Sequence, residues 1–164
     1  MYGDVSAEKA GPVLSFRVGG RDAFLYEWVY QTLTSEGRDT LEQVAYIVLG
    51  PGAPYLRTTP KRFFGEPSNP IEFPEDPAFS NAFWVDGPDK AAIRRYLGLE
   101  LRQFLLSLGK GRRFHAGPEG VALVRGTHLT GHHQAGGRAS TAEVDEARTI
   151  LKRLAALAEA AARR

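Results

Sequence analysis

The stretch Phe24-Leu25-Tyr26-Glu27-Trp28-Val29-Tyr30-Gln31-Thr32-Leu33 decides the fold, because aromatic and β-branched residues recur in it at every second position. Side chains alternate between the two faces of a strand, so this spacing predicts a β-strand. Residues 13–18 alternate in the same way and end at Gly19-Gly20. Residues 40–49 repeat the pattern after a loop that contains Gly37. The first third of the chain is therefore predicted to be an antiparallel meander.

A proline-rich stretch follows the meander. Seven of the ten prolines lie between Pro51 and Pro77. Proline fixes its own backbone and favours extended chain, so residues of about 50–78 are predicted to be a stiff connector. A turn at residues 86–89 then leads into a predicted helix over residues 90–108, whose apolar residues recur at helical spacing. Gly98, in the middle of this helix, indicates a break or a close packing contact.

The last third predicts a β-hairpin and a second helix. The hairpin runs over residues 113–124, with its turn at Gly117-Pro118-Glu119-Gly120. Ser140 and Glu143 have the spacing of a capping box at a helix start. One stripe of that helix is apolar: Val144, Ala147, Leu151, Leu154, Ala158 and Ala161. The sequence thus predicts an α+β fold, an antiparallel β meander followed by helix, β-hairpin and C-terminal helix, in one domain over residues 1–164.

Composition excludes several classes of function. The chain has no cysteine, so disulfides, thiol chemistry and cysteine-ligated metal sites are excluded, and a reducing compartment is expected. No apolar run is long enough to span a bilayer, and the first residues have no signal-peptide pattern, so a soluble, cytoplasmic protein is expected. No nucleophile elbow and no phosphate-loop spacing occur, so neither an enzyme nor a cofactor is predicted.

Charge is divided unevenly along the chain. Residues 1–88 carry 7 basic and 12 acidic side chains, whereas residues 89–164 carry 14 basic and 7 acidic ones. Six basic residues on or just after the predicted middle helix form a candidate phosphate- or anion-binding face: Arg94, Arg95, Arg102, Lys110, Arg112 and Arg113. If they converge, they attract an anionic membrane surface. Nucleic acid is disfavoured, because no RNA-recognition pattern is present. The alternative is an ordinary solvated helix face.

Three histidines are the candidate metal ligands: His128, His132 and His133. The first two are four residues apart, which would put both on one face of a helix. Glycines surround them, however, and no carboxylate lies between Glu119 and Glu143 to complete a zinc site. An exposed loop is the competing interpretation, and a small metal-dependent enzyme centred on this loop is kept as an alternative function.

The middle of the chain resembles a known family. The residues that carry the resemblance are Phe73-x-x-Asp76-Pro77-x-Phe79-Ser80, followed by Phe83-Trp84-Val85, an acidic turn, the Arg94-Arg95 pair and the 117–124 hairpin. This pattern resembles an uncharacterised family of bacterial soluble domains, classed as a domain of unknown function. Its members often lie on the cytoplasmic side of one or two transmembrane helices, and the resemblance implies no enzyme activity.

These observations together predict a non-enzymatic interaction or scaffold domain. Its expected partner is a protein, and the resemblance implies a setting at the inner face of a bacterial membrane. Binding of phosphate or lipid headgroups through the basic helix face is the first alternative, and the histidine loop is the second.

Overall fold

The computed structural model describes residues 6–34, 37–62, 65–109, 111–129 and 141–164, with side chains described at 13–28, 43–62, 65–109, 111–126 and 143–164. These residues form seven strands and four helices. The strands are β1 (Ser6–Val18), β2 (Arg21–Thr34), β3 (Gly37–Leu49), β4 (Leu56–Pro60), β5 (Phe83–Asp86), β6 (Arg112–Gly117) and β7 (Gly120–Leu129). The helices are α1 (Pro77–Ala82), α2 (Lys90–Tyr96), α3 (Leu99–Ser107) and α4 (Thr141–Ala162).

The seven strands form one antiparallel sheet in the order β1-β2-β3-β7-β6-β4-β5. Strands β1 to β3 are the predicted meander, and β6 and β7 are the predicted hairpin, which joins the meander through β7. Gly19 and Gly20 connect β1 to β2 with φ angles of 56° and 75°. This left-handed backbone suits a two-residue hairpin turn and favours glycine. The predicted α+β class, with its C-terminal helix, is confirmed.

One face of the sheet, here called the covered face, forms the hydrophobic core. A single row of paired residues crosses all seven strands on this face: Leu14, Leu25, Tyr46, Leu123, Phe114, Thr58 and Val85. All of them are buried except Leu14, which is partly buried against the core. The buried sides of the four helices join the same core cluster. Each fully buried large apolar side chain contributes about 1.5–3 kcal/mol to folding.

Helix α4 lies across β1, β2 and β3 on the covered face. Its predicted apolar stripe is the side that is buried, with Leu151 and Leu154 at 0% exposure. An ion pair fixes the helix to the meander, because Arg21 Nε donates to Glu159 Oε2 at 3.0 Å. This hydrogen bond lowers the pKa of the Glu159 carboxyl. Among the described residues, no helix is both long and apolar enough to cross a membrane.

Two features of the middle of the chain differ from a plain connector followed by one continuous helix. The predicted connector contains a strand, β4, which pairs with both β5 and β6. Its residues alternate strictly, since Leu56, Thr58 and Pro60 are buried while Arg57 is exposed. The single predicted helix is two helices, α2 and α3, separated at Leu97 and Gly98. The Arg164 guanidinium occupies the space that a side chain at Gly98 would fill, so this glycine marks both a break and a close contact.

Candidate functional site

The face of the sheet opposite the core is here called the open face. Among the described residues, the buried sides of the helices belong to the core, so no helix packs on the open face. A second row of paired residues crosses it, one position out of phase with the core row: Ser15, Phe24, Ile47, Ala122, His115, Arg57 and Asp86. Because side chains alternate along a strand, these seven point away from α4. Most are only half-buried, although they sit in the middle of a sheet.

The centre of the open face is apolar and aromatic. Tyr26 and Trp28 project from β2 with ring centroids 5.1 Å apart. Ala45, Ile47 and Val124 lie beside them on β3 and β7. Three of the four large apolar residues that are most exposed in the described chain belong to this face or its rim: Val13, Leu49 and Tyr55. Exposed apolar side chains that gather on one face of a sheet are typical of an interaction site.

A shallow cavity of about 320 Å³ opens at one end of the open face. Its floor is Ile47, Ala122 and His115, and its wall is the Tyr55 ring. Gly117 lets this ring approach, because a side chain there would meet Tyr55 carbons at 3.2 Å. The Tyr55 side chain is 65% exposed, so the rim of the cavity offers an aromatic surface to a ligand.

Basic groups lie to one side of this apolar centre. Arg57 pairs with Asp86 through a bidentate contact, at 2.9 and 3.3 Å. Lys61 Nζ lies 3.7 Å from the centroid of the Trp84 ring, a cation–π contact. Arg113 projects from β6 onto the same face as His115. Burial, followed by the charges of Arg113 and Arg57, lowers the pKa of the His115 imidazole, which is therefore neutral at pH 7.

Replacing Arg57 with glutamine is expected to raise the pKa of His115 towards its ordinary value of 6.5. The change removes a neighbouring positive charge and leaves Asp86, whose carboxylate favours the imidazolium. Because the folded-state pKa is depressed, His115 contributes stability above pH 6.5 that is lost as the pH falls through its folded value. An NMR titration of the imidazole measures the pKa directly.

The matched control for this titration is Arg17→Gln, which removes an exposed arginine paired with Asp22 at the other side of the sheet. That variant should leave the His115 titration unchanged. A His115 pKa that stays the same in Arg57→Gln would show that the charge of Arg57 does not contribute to it.

Two of the predicted anion-binding arginines are engaged by carboxylates. Arg94 donates to the Glu72 carbonyl and pairs with Glu75 at 3.1 Å. Arg102 is buried, pairs with Asp76 at 2.9 Å and donates to the Leu97 carbonyl at 3.0 Å. Both guanidinium groups also stack near the Phe73 ring, at 5.2 and 4.9 Å. Their positive charge is compensated within the fold.

The remaining members of the predicted basic face lie in different places. Arg95 is exposed at a cavity beside α2. Arg112 points to the covered face, where its guanidinium lies 5.6 Å from the Tyr46 ring centroid, and Arg113 points to the open face. Lys110 is outside the described residues. The described arginines of this set are thus distributed over both faces of the sheet and the helix layer.

The predicted metal ligands lie mostly outside the part of the chain that the structure describes. His132 and His133 lie outside the described residues, and of His128 only the backbone, in β7, is described. In the part of the chain that the structure describes, no group of three or more His, Asp or Glu side chains is placed to hold a metal ion.

The motif that carries the family resemblance is used for folding. Phe73 and Phe79 are buried in the core at 1% and 0% exposure. Asp76 caps α1 by accepting from Phe79 N at 3.2 Å, with Pro77 at the start of the helix. The Ser80 hydroxyl donates to the Phe73 carbonyl at 2.7 Å and accepts from Phe73 N at 3.2 Å. The five residues of the Phe73-to-Ser80 pattern therefore all have structural roles.

The residues that form the open-face site were not identified as functional from the sequence. Tyr55 follows Pro54 in the predicted connector, and His115 lies in the predicted 113–124 hairpin, with no motif around it. The sequence did contain one signal for this site. Strand β2 has aromatic residues on one side and apolar residues such as Leu25 on the other, so one apolar side had to face away from the core. No family model matches the chain, and neither a curated protein nor a solved structure matches it significantly.

Proposed function

We propose that this protein is a non-enzymatic interaction domain that binds a protein partner through the open face of its sheet. The observation that carries the proposal is the apolar centre of that face, formed by Phe24, Tyr26, Trp28, Ile47 and Val124, which no described helix covers. Protein interfaces bury an apolar, aromatic-rich centre inside a polar rim, and the open face has this arrangement.

The partner that fits best is an apolar segment with acidic flanks. Arg57, Lys61 and Arg113 stand on the β4–β6 side of the apolar centre, and Arg57 pairs there with Asp86. Opposite charge at the rim steers association and favours one orientation of the partner. The neutral imidazole of His115, between these cations and Ile47, is suited to a desolvated contact. The resemblance of residues 73–124 supports a partner at a bacterial membrane system.

Selection from a displayed random-peptide library is the experiment that tests this function. We expect enriched peptides to combine apolar and acidic residues, and to bind the unmodified chain. Ile47→Asp is expected to weaken their binding by about thirtyfold or more, because it buries an unpaired carboxylate at the centre of the contact. Leu49→Asp, at a position that is 44% exposed, repeats the test where folding is less affected.

The matched control is Leu99→Asp, which adds the same charge at an apolar residue that is 54% exposed on α3, away from the open face. Peptide binding that survives Ile47→Asp and Leu49→Asp, or is lost equally in Leu99→Asp, would contradict the proposal. The chain could instead associate with itself in a concentration-dependent way. If both open-face variants abolish that association, the partner is a second copy of the chain and not another protein.

A further inference from the structure

The outer side of α4, which points away from the sheet, is rich in positive charge. The inner side of this helix is buried on the covered face, where Leu151 and Leu154 are 0% exposed. Between residues 148 and 164, α4 and the two residues that follow it expose five cations, here called the basic surface: Arg148, Lys152, Arg153, Arg163 and Arg164. A rigid helix on the sheet thus presents a dense group of positive charges to solvent.

Helical geometry brings these cations to one side. At about 100° per residue, Arg148, Lys152 and Arg153 fall within an arc of about 140°, opposite the buried stripe. Residues 148–162 extend over about 21 Å, and the last two cations follow directly. The exposed neutral side chains between the cations are short: Thr149, Ala156 and Ala162. The cations therefore project beyond their neutral neighbours.

Acidic groups offset little of this charge. Glu159 is the one carboxylate in this stretch of the sequence, and it accepts from Arg21 at 3.0 Å and from Arg163 at 3.1 Å. Arg164 has a more distant acidic neighbour, Glu100, at 3.9 Å. The other acidic residues of α4 precede the stretch: Glu143, Asp145 and Glu146. Five cations against one carboxylate leave a side-chain charge of +4 over residues 148–164.

The middle of the basic surface is not neutralised from within the fold. Lys152 and Arg153 are exposed and form no ion pair among the described residues. The Arg148 guanidinium lies 5.9 Å from the centroid of the Phe16 ring, a cation–π contact that leaves its charge uncompensated. An external anion can therefore bind here without displacing an internal carboxylate.

A flat anionic surface fits this arrangement better than a nucleic acid does. Helix α4 lies along the sheet over β1, β2 and β3, so only its outer side is accessible. A helix held in this way cannot enter the major groove of DNA, which takes a projecting helix. Nor does α4 contain an aromatic residue on which single-stranded bases could stack.

We propose that the basic surface of α4 binds an anionic lipid membrane, with the helix lying parallel to the membrane plane. Lysine and arginine side chains near such a membrane are attracted to its anionic headgroups, and salt screens the attraction. The open face of the sheet points in the opposite direction. A domain bound to the membrane through α4 therefore leaves its open face accessible to a partner.

Co-sedimentation with phosphatidylcholine vesicles, with and without phosphatidylserine, tests the proposal. We expect binding only to the vesicles that contain phosphatidylserine, and release when the salt concentration is raised. Lys152→Gln combined with Arg153→Gln is expected to weaken binding by about thirtyfold, because each cation near an anionic surface contributes roughly fivefold. Lys152→Glu combined with Arg153→Glu should weaken it further. Both positions are exposed, so circular dichroism should show an unchanged fold.

The matched control is Arg17→Gln combined with Arg57→Gln, which removes two cations from the open face. Their side chains are 69% and 54% exposed, and the change of net charge is the same. We expect this variant to bind the vesicles within about twofold of the unmodified chain. Equal weakening in the two glutamine pairs would show that net charge alone governs binding, and would overturn the proposal.

Tryptophan fluorescence reports the orientation of the bound domain. Trp28 and Trp84, the two tryptophans of the chain, both lie on the open face, opposite α4. We expect their emission to be unchanged by phosphatidylserine vesicles and unquenched by brominated lipid. Quenching, or failure to bind the anionic vesicles at all, would overturn the proposal. Binding of a duplex DNA oligonucleotide without binding of vesicles would overturn it too, and would assign the basic surface to a nucleic acid.

Discussion

Replacing Arg102 with alanine is expected to lower the free energy of unfolding by about 3–5 kcal/mol. The guanidinium is 7% exposed and joins three groups from two parts of the chain, the adjacent carboxylates of Glu75 and Asp76 and the carbonyl of Leu97. Asp76 is itself 11% exposed, so the substitution leaves a largely buried carboxylate without its cation. Urea denaturation followed by circular dichroism measures the loss.

The control for this prediction is Arg94→Ala, which breaks a pair with the same Glu75 at a side chain that is 42% exposed. Solvent screens that pair, and we expect a loss of no more than about 1 kcal/mol. Arg102→Lys should recover little, because one ammonium cannot reproduce the forked contacts to Asp76 and Glu75. Equal losses in Arg94→Ala and Arg102→Ala would contradict the structural role assigned to Arg102.

Replacing Phe79 with alanine is expected to cost about 3–5 kcal/mol of folding free energy, through lost burial and the cavity that remains. The ring is 0% exposed. It packs edge-on against Phe73 with centroids 5.4 Å apart, and against Phe83 at 5.2 Å. The same denaturation experiment measures the change, and Phe79→Leu should lose less because it refills part of the space.

Leu99→Ala provides the comparison for Phe79→Ala, since Leu99 is 54% exposed at the start of α3. Substitutions at such a surface position usually change stability by within about 0.5 kcal/mol. A Phe79→Ala variant with nearly normal stability would show that the segment around α1 is not part of the cooperative core. If a folded Phe79 variant still binds peptides at the open face as the unmodified chain does, the motif around Phe79 serves folding and not binding.

The parts of the fold that could be predicted depend on neighbours along the chain. The meander was predicted because β1, β2 and β3 alternate strictly and are joined by short turns, and the β6–β7 hairpin because Gly117 to Gly120 is a turn signal. Strand β4 was missed because it is five residues long and stands between prolines. Its partners, β5 and β6, are far along the chain, so no local pattern identifies the pairing. Helix α1, with six residues, is too short to show a helical period.

The candidate basic face differed from expectation because the predicted helix is broken. One continuous helix would place Arg94, Arg95 and Arg102 on its polar side. The break at Leu97 and Gly98 resets the helical phase, so that Arg102 faces inward between Leu101 and Leu105. A sequence pattern cannot supply this phase change, because it depends on how α3 docks against α1 and α4. The sequence also could not show which side of β2 faces the core. Both sides of this strand carry apolar residues, and tertiary packing decides which of them α4 covers.

The order of the strands in the sheet also has a consequence for synthesis on the ribosome. Strands β1 to β3 are made first, but β7 and α4, which pair with β3 and cover the meander, are made last. At roughly 5–20 residues per second, the nascent meander waits several seconds with both of its faces exposed to solvent. During that interval the unpaired edge of β3 is available to any other extended chain. The period of greatest risk of aggregation for this protein is therefore the interval between the synthesis of β3 and that of β7 and α4.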